Sequence, residues 1–145
     1  MLTVSKHEFS SIILDACEIL LSELKLPNSL NIDIIIVDSL DGIAADCEKV
    51  SDEKYIVRLV DREDLLASLS HEFVHIKQHY YKEIVYVGLG VHKNEVYATF
   101  KWRGIRWRPK ESESLYWDYP HEKEANELEQ KLANLIMDRL GICIE

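Results

Sequence analysis

Two histidines four residues apart constrain the fold of this chain more than any other feature of its sequence. The segment HEFVH contains His71 and His75, and it lies within a stretch from residue 62 to about residue 80. Apolar side chains recur there every three or four positions, at Leu65, Leu66, Leu69, Phe73 and Ile76. This spacing predicts an amphipathic helix with its apolar side towards a core. Residues i and i+4 of a helix share one face, so both imidazoles can reach one ion.

Glu72 follows the first of these histidines and lies about 100° further round the helix. Two imidazole nitrogens suit Zn²⁺. Glu72 is near enough to hold a water that the metal activates, to take its proton and to pass that proton to a leaving amine. The pattern HExxH therefore predicts a zinc site with Glu72 as general base. The alternative, in which the two histidines only cap or solvate a helix, stays open at this point.

A third histidine, His79, stands eight residues after His71 in the same predicted helix. That separation is about 12 Å along the helix axis, so one ion cannot bind both residues. The longer motif HExxHxxGxxH needs a glycine where this chain has Gln78. We interpret His79 as a residue of the helix end, close to the C-terminal dipole.

A catalytic zinc site needs a third protein ligand and an open coordination position. The stretch YPHEKEANELE, residues 119–129, contains Glu122, Glu124 and His121 as candidates. Glu122 is the preferred ligand because Asn126, one turn further on, could orient it. Glu124 is the alternative third ligand, but it lies about 160° away round the helix, so only one of the two can face the metal. Both could also be acidic residues that the dipole favours in a first helical turn.

The order of the predicted elements is typical of one α+β domain over residues 1–145 with a small, mostly antiparallel sheet. Besides the HEFVH helix, we predict a helix over 5–25, strands over 30–38, 42–49 and 54–60, hairpins that turn at Lys93-Asn94 and Arg103-Gly104, and a last helix from Pro120 to about Leu140 that Gly141 ends.

Charge and cysteine content restrict the partners and the compartment. The formal net charge is −9, which argues against nucleic acid or an anionic membrane as the main partner. No stretch is apolar enough to span a membrane, and no secretory signal is visible. Three cysteines without a CxxC pair fit a reducing cytoplasm better than a disulfide framework.

The motif pair HExxH and E-x-x-A-N, the latter at residues 122–126, resembles the gluzincin zinc peptidases, and more narrowly the minigluzincin and ImmA/IrrE-like groups. The run HEFVHIKQHYY, FKWRGIRW and YWDYPHEKEAN is similar to small metallopeptidases of phages and prophages. The resemblance covers about residues 54–135, and the N-terminal helix and strands match only in general layout.

This resemblance implies a zinc ion held by His71, His75 and a glutamate of the last helix, with Glu72 as base. It also implies a peptide substrate that lies antiparallel to an edge strand, here the strand over 54–60. His121 stands where the phage pattern usually has tryptophan, which leaves the pocket shape and the third ligand open. The alternative function is a catalytically weak or inactive zinc-binding domain that acts as a phage-encoded regulator of a protein partner.

The segment FKWRGIRWRPK, 100–110, alternates aromatic and basic residues between the two predicted metal-binding helices. We interpret it as a hairpin that packs its aromatics on the core, turns its arginines outwards and forms a flap or wall of the cleft. Stacking on single-stranded nucleic acid is the alternative. Tyr116 or Tyr119 could donate a hydrogen bond to a developing oxyanion or contact the substrate.

Overall fold

The computed structural model describes residues 1–108 and 119–142. Over these residues the elements are, in chain order, β1 (Leu2–Val4), α1 (Ser10–Glu23), β2 (Asn31–Val37), β3 (Ala45–Ser51), β4 (Lys54–Val60), α2 (Leu65–Tyr80), β5 (Ile84–His92), β6 (Glu95–Trp102), β7 (Ile105–Arg106) and α3 (Pro120–Leu140). The predicted α+β fold is confirmed.

The first sheet has the strand order β1-β2-β4-β3. β2 pairs in parallel with both β1 and β4, whereas β3 pairs antiparallel with β4. Antiparallel pairing in this sheet is therefore limited to one of its three strand pairs. The prediction that 54–60 forms an edge strand is wrong, because β4 lies between β2 and β3. β3 occupies the edge of the described sheet instead.

One face of this sheet packs against the helices and forms the core. Alternate residues of β4 are fully buried at Tyr55, Val57 and Leu59, as period-two alternation requires. α2 contributes Leu69, Phe73, Val74 and Ile76 to the same cluster, and α3 contributes Ala125, Leu132 and Ile136. The apolar side predicted for α2 is therefore the side that anchors it.

The second sheet is antiparallel throughout, with the order β5-β6-β7. Its two turns fall where they were predicted. Lys93 and Asn94 have φ of 49° and 64°, and Arg103 and Gly104 have φ of 50° and 85°. Two successive residues with positive φ are typical of the tight turns that match the twist of a hairpin.

The aromatic residues of this sheet are buried to different extents, since Tyr97 and Trp102 are half-buried and Tyr86 is 53% exposed. Phe100 is buried and stacks on Trp107 at 5.1 Å between ring centroids, with an interplanar angle of 9°. Both rings also contact Tyr119 edge-on. Ile105, which lies in the same hairpin, is 75% exposed.

Several boundaries differ from those predicted. α1 begins at Ser10, where the Ser10 hydroxyl accepts a hydrogen bond from the backbone N–H of His7, so residues 5–9 precede the helix. β3 begins at Ala45, three residues after the predicted start at Gly42, because Asp41 and Gly42 both have positive φ and form the turn. The three-residue strand β1 was not predicted, since its pairing partner β2 lies about 30 residues further along the chain.

Candidate functional site

α2 presents His71, Glu72 and His75 at one side of a helix that is fixed by its buried opposite side. His71 and His75 are one helical turn apart, and their Nε2 atoms are 3.1 Å from each other. The side chains of His71 and His75 are 17% and 12% exposed, respectively. Both side chains are therefore largely buried, but each still reaches the surface of a cavity.

α3 brings Glu122 to these two histidines from 51 and 47 residues away in the sequence. Pro120 at the first helical position starts α3, with Tyr119 in extended conformation as its N-cap. Glu122 Oε2 lies 3.3 Å from His71 Nε2, and Glu122 Oε1 lies 3.0 Å from His75 Nε2. The ligand atoms of His71, His75 and Glu122 all lie within 4.8 Å of one another.

This donor set fits a zinc ion. Bonds of about 2.0–2.2 Å in a tetrahedral shell place neighbouring ligand atoms about 3.3–3.6 Å apart. In this site the two Nε2 atoms are 3.1 Å apart, and each lies close to a different oxygen of Glu122, at 3.0 Å for His75 and 3.3 Å for His71. Two imidazoles and a carboxylate leave one of four positions for water or substrate, as in catalytic rather than structural zinc sites.

The electrostatics of the three side chains favour bound positive charge. Burial alone would raise the pKa of Glu122, but its hydrogen bonds with His71 and His75 hold that pKa well below its usual range. Burial lowers the pKa of His75, and the bond and charge of Glu122 more than offset this, so the pKa of His75 is raised.

Glu72 is only 5% exposed, yet it lines the same cavity as the two histidines. Burial raises the pKa of its carboxyl, while the charges of His75 and His71 lower it less strongly. A carboxylate with a raised pKa, close to a metal position but outside the ligand group, is suited to accept and return a proton.

The cavity in front of these residues has a volume of about 590 Å³. One wall is the edge strand β3 with the residues before it, from Ile43 to Cys47, and the other is formed by α2 and α3. Tyr86 from β5 joins the lining, whereas none of the described residues 100–108, the segment predicted to form a flap or wall, lines the cavity. The cavity therefore lies between a free strand edge and the His-His-Glu group.

Glu124, the alternative third ligand, points to a different set of partners. Its Oε1 is 3.2 Å from Lys77 Nζ and accepts a hydrogen bond from Gln78 Nε2 at 3.1 Å. Its Oε2 pairs with Arg103. Glu124 thus connects α3 to α2 and to the second sheet, and Glu122 alone of the two joins the histidines.

His121 is buried among aromatic rings rather than joined to the group of ligands. Its ring stacks on Tyr119 at 5.3 Å and meets Phe100 edge-on at 5.0 Å. Burial and the nearby His75 lower the pKa of His121 to about 4. It lines the cavity as a neutral ring.

His79 lies outside the group formed by His71, His75 and Glu122, and it also lines the cavity. It is in the last turn of α2, as predicted. Burial, with smaller effects of Lys49 and His75, lowers its pKa to about 4. The ring is therefore neutral near pH 7, and the helix dipole does not hold it in the charged form.

The remaining predicted site residues occupy different places. Asn126 lines the cavity one turn from Glu122, and the hydrogen bonds of the described residues do not join the two side chains. Tyr119 packs against Trp107 and His121 and is not itself among the residues that line the cavity. Tyr116 lies outside the described residues.

Sequence reasoning missed three residues that border the site. Glu129 Oε1 is 3.7 Å from His71 Nδ1, and Tyr86 lines the cavity with a pKa raised by burial and by Glu122. Gln78 contacts His75 directly. Glu129 could have been found from the sequence, because it lies seven residues after Glu122 and therefore on the same face of the last helix. No comparable pattern points to Tyr86.

Comparison of the chain with protein-family models, with curated proteins and with solved structures finds no match. None of the helices in the described part of the chain is long and apolar enough to cross a membrane.

Proposed function

We propose that this protein is a zinc-dependent metallopeptidase of the gluzincin type, which hydrolyses peptide bonds with a metal-activated water. The observation that carries the proposal is the meeting of His71, His75 and Glu122 within 4.8 Å at the side of a cavity that Glu72 also lines. The resemblance to phage and prophage metallopeptidases supports the same function.

His71, His75 and Glu122 would hold the ion, and a zinc ion there would lower the pKa of a water and polarise the substrate carbonyl. Glu72 holds the attacking water by a hydrogen bond and accepts its proton. Burial keeps the pKa of Glu72 raised, so the carboxyl gives that proton up again to the leaving amine. Of the tyrosines in residues 1–108 and 119–142, Tyr86 is best placed to donate a hydrogen bond to the developing oxyanion, because it lines the cavity whereas Tyr119 does not.

The substrate would be an extended peptide paired with the edge of β3. Val60 N–H donates to Ala44 C=O, and the register pairs Ala45 with Leu59 and Asp46 with Arg58. Backbone bonding alternates along an antiparallel ladder, so Asp46 bonds to β4, and Ala45 and Cys47 turn their N–H and C=O groups to the free edge. A peptide that adds a strand there would run past the His-His-Glu group.

The test is hydrolysis of a quenched fluorescent peptide library by the wild type and by Glu72→Gln. We expect the wild type to cleave and the variant to lose at least about a hundredfold in rate, because general-base catalysis contributes about 10²–10⁴-fold. Zinc content should be the same in both. Glu127→Gln, a change of the same kind on the exposed side of α3, is the matched control and should cleave normally.

Cleavage that persists in Glu72→Gln would contradict the assigned mechanism. A zinc-loaded wild type that cleaves no member of the library would leave the alternative, a zinc-binding regulator of a protein partner.

A further inference from the structure

Gln78 is fully buried at the point where α2 and α3 meet beside the His-His-Glu group. A buried amide has two N–H donors and a carbonyl acceptor to satisfy, and each one left without a partner costs about 1–3 kcal/mol. Gln78 satisfies all of them within the protein. Its three partners are His75, His121 and Glu124.

The partners of Gln78 determine which way round its amide lies. Its Nε2 is 3.0 Å from the backbone carbonyl of His121 and 3.1 Å from the Glu124 carboxylate. A carbonyl and an ionised carboxylate only accept hydrogen bonds, so the NH₂ group must face them. Lys77 and Arg103 both pair with this carboxylate, one at each oxygen, so it faces Gln78 as a charged acceptor. In the opposite orientation, the Gln78 carbonyl oxygen would face the oxygens of His121 and Glu124, and none of the three could donate a hydrogen bond.

With the NH₂ group fixed in this way, the carbonyl oxygen of Gln78 faces the ring of His75. Gln78 Oε1 is 2.8 Å from His75 Nδ1. A carbonyl can only accept, so His75 Nδ1 must carry a proton. Nε2 of the same ring lies 3.1 Å from His71 Nε2 and 3.0 Å from Glu122 Oε1, so the Nε2 proton is the one that a metal ion would displace, and Nδ1 would keep its own.

We infer that Gln78 is a positioning residue, which fixes the ring of His75 in the tautomer and orientation that direct its Nε2 lone pair at the metal position. The inference rests on the proposed zinc site for its functional meaning. A metal-bound histidine usually donates its other ring N–H to an acceptor of this kind, and loss of such a partner typically weakens metal binding about 10–100-fold. Here the partner is a neutral amide whose own orientation is set by α3.

Lys77 and Arg103 extend this arrangement beyond Gln78. Both are paired with Glu124, Lys77 from α2 and Arg103 from the turn after β6. They hold the carboxylate against the amide of Gln78. This gives Glu124, which is not a ligand itself, a defined part in the same chain of contacts: it fixes Gln78, and Gln78 fixes His75.

The first measurement uses the unaltered protein. Long-range ¹H–¹⁵N spectra of the imidazole rings, recorded on zinc-free protein under alkaline conditions in which the rings are neutral, report which ring nitrogen carries the proton. We expect His75 to show the Nδ1–H tautomer. A predominant Nε2–H tautomer in the wild type would overturn the inference, whether or not the protein binds zinc.

The second measurement compares Gln78→Met with Gln130→Met. Methionine keeps most of the volume of glutamine but removes the acceptor, and Gln130 is an exposed residue of α3 that bonds to Asn134. For Gln78→Met we expect a mixture of His75 tautomers and about 10–100-fold weaker zinc binding in a competition titration with a chromophoric chelator. Gln130→Met should match the wild type in both.

An unchanged His75 tautomer in Gln78→Met, or zinc affinity equal to that of Gln130→Met, would contradict the positioning role. Thermal unfolding of both variants separates a general loss of stability from this effect, because lower stability alone does not alter the ring tautomer of the folded fraction. A wild type that binds no zinc would refute the proposed function, and the tautomer of the zinc-free protein would still decide the role of Gln78.

Discussion

At the scale of single residues, the site contains two glutamates with the same chemistry and different neighbours. Glu122 and Glu124 are two residues apart on one helix, and each pairs with cations or polar donors on α2. Glu122 meets two imidazoles, which lose a proton to solvent when a metal binds them. Glu124 meets Lys77 and Arg103, which stay protonated, so its charge is already neutralised. This difference in partners distinguishes a candidate ligand from a structural acid.

His79 provides a residue-scale prediction about pH. Histidine in an unfolded chain has a pKa of about 6.5, and burial first of all lowers the pKa of His79 to about 4 in the folded state. Between these values the unfolded state binds more protons, so the contribution of His79 to stability is present above about pH 6.5 and is lost as the pH falls towards 4.

Urea unfolding of zinc-free wild type and His79→Phe at about pH 7 and about pH 5 tests this. The wild type should lose more stability over that interval, by on the order of 1 kcal/mol, since the ring is partly exposed and solvent screens its charge. Equal losses in the two proteins would show that His79 titrates normally in the folded state.

At the scale of secondary-structure elements, the position of β3 gives the site its second wall. β4 is an interior strand, and β3 forms the free edge beside the cavity. If a peptide binds by pairing with this edge, binding depends on outward backbone N–H groups that no side-chain substitution removes. Proline is the exception, because it lacks the N–H and is tolerated where that group does not serve the ladder.

Ala45→Pro tests the edge strand, since the N–H of Ala45 faces outwards from the pair with β4. We expect a rise in KM of about fivefold, equivalent to one hydrogen bond of about 1 kcal/mol, with little change in kcat. Zinc content should be unchanged. Ala45→Val keeps the N–H and is the control. A KM equal to that of the control would mean that substrate does not pair with β3 at this position.

Sequence patterns predicted those features of the fold and the site that depend on residues close together in the sequence, and they failed where the interacting residues are far apart in it. The relation of His71 to His75 is set by one turn of one helix, and the turns at Lys93-Asn94 and Arg103-Gly104 are set by neighbouring residues, so local pattern was sufficient. The choice of Glu122 over Glu124 depends on how α3 lies against α2. The part played by Gln78 requires partners 43 and 46 residues away. Strand order depends on pairing across the whole chain, which is why the edge was assigned to β4 instead of β3.

At the scale of the whole molecule, the proposed ligands join two helices that are far apart in the sequence. α2 and α3 share the core through Phe73, Ala125 and Ile136, and the zinc site would add a further connection at the cavity end. An ion that binds only the folded state stabilises it by mass action.

Zinc should therefore raise the thermal unfolding midpoint. At a free zinc concentration of about 100 times Kd, the expected stabilisation is about 2.7 kcal/mol, which is several degrees for a domain of this size. Differential scanning calorimetry with and without a chelator measures the shift, and Glu122→Gln should show much less of it. A midpoint that does not respond to zinc would argue against a site that depends on the fold.

The most direct test of the metal site is the zinc content of purified protein after exhaustive dialysis, measured by mass spectrometry for the wild type, His75→Ala, Glu122→Gln and the control Glu127→Gln. We expect one zinc per chain in the wild type and in Glu127→Gln, and a large loss in the other two variants. A wild type without stoichiometric zinc, or a His75→Ala variant that retains it, would contradict the central claim.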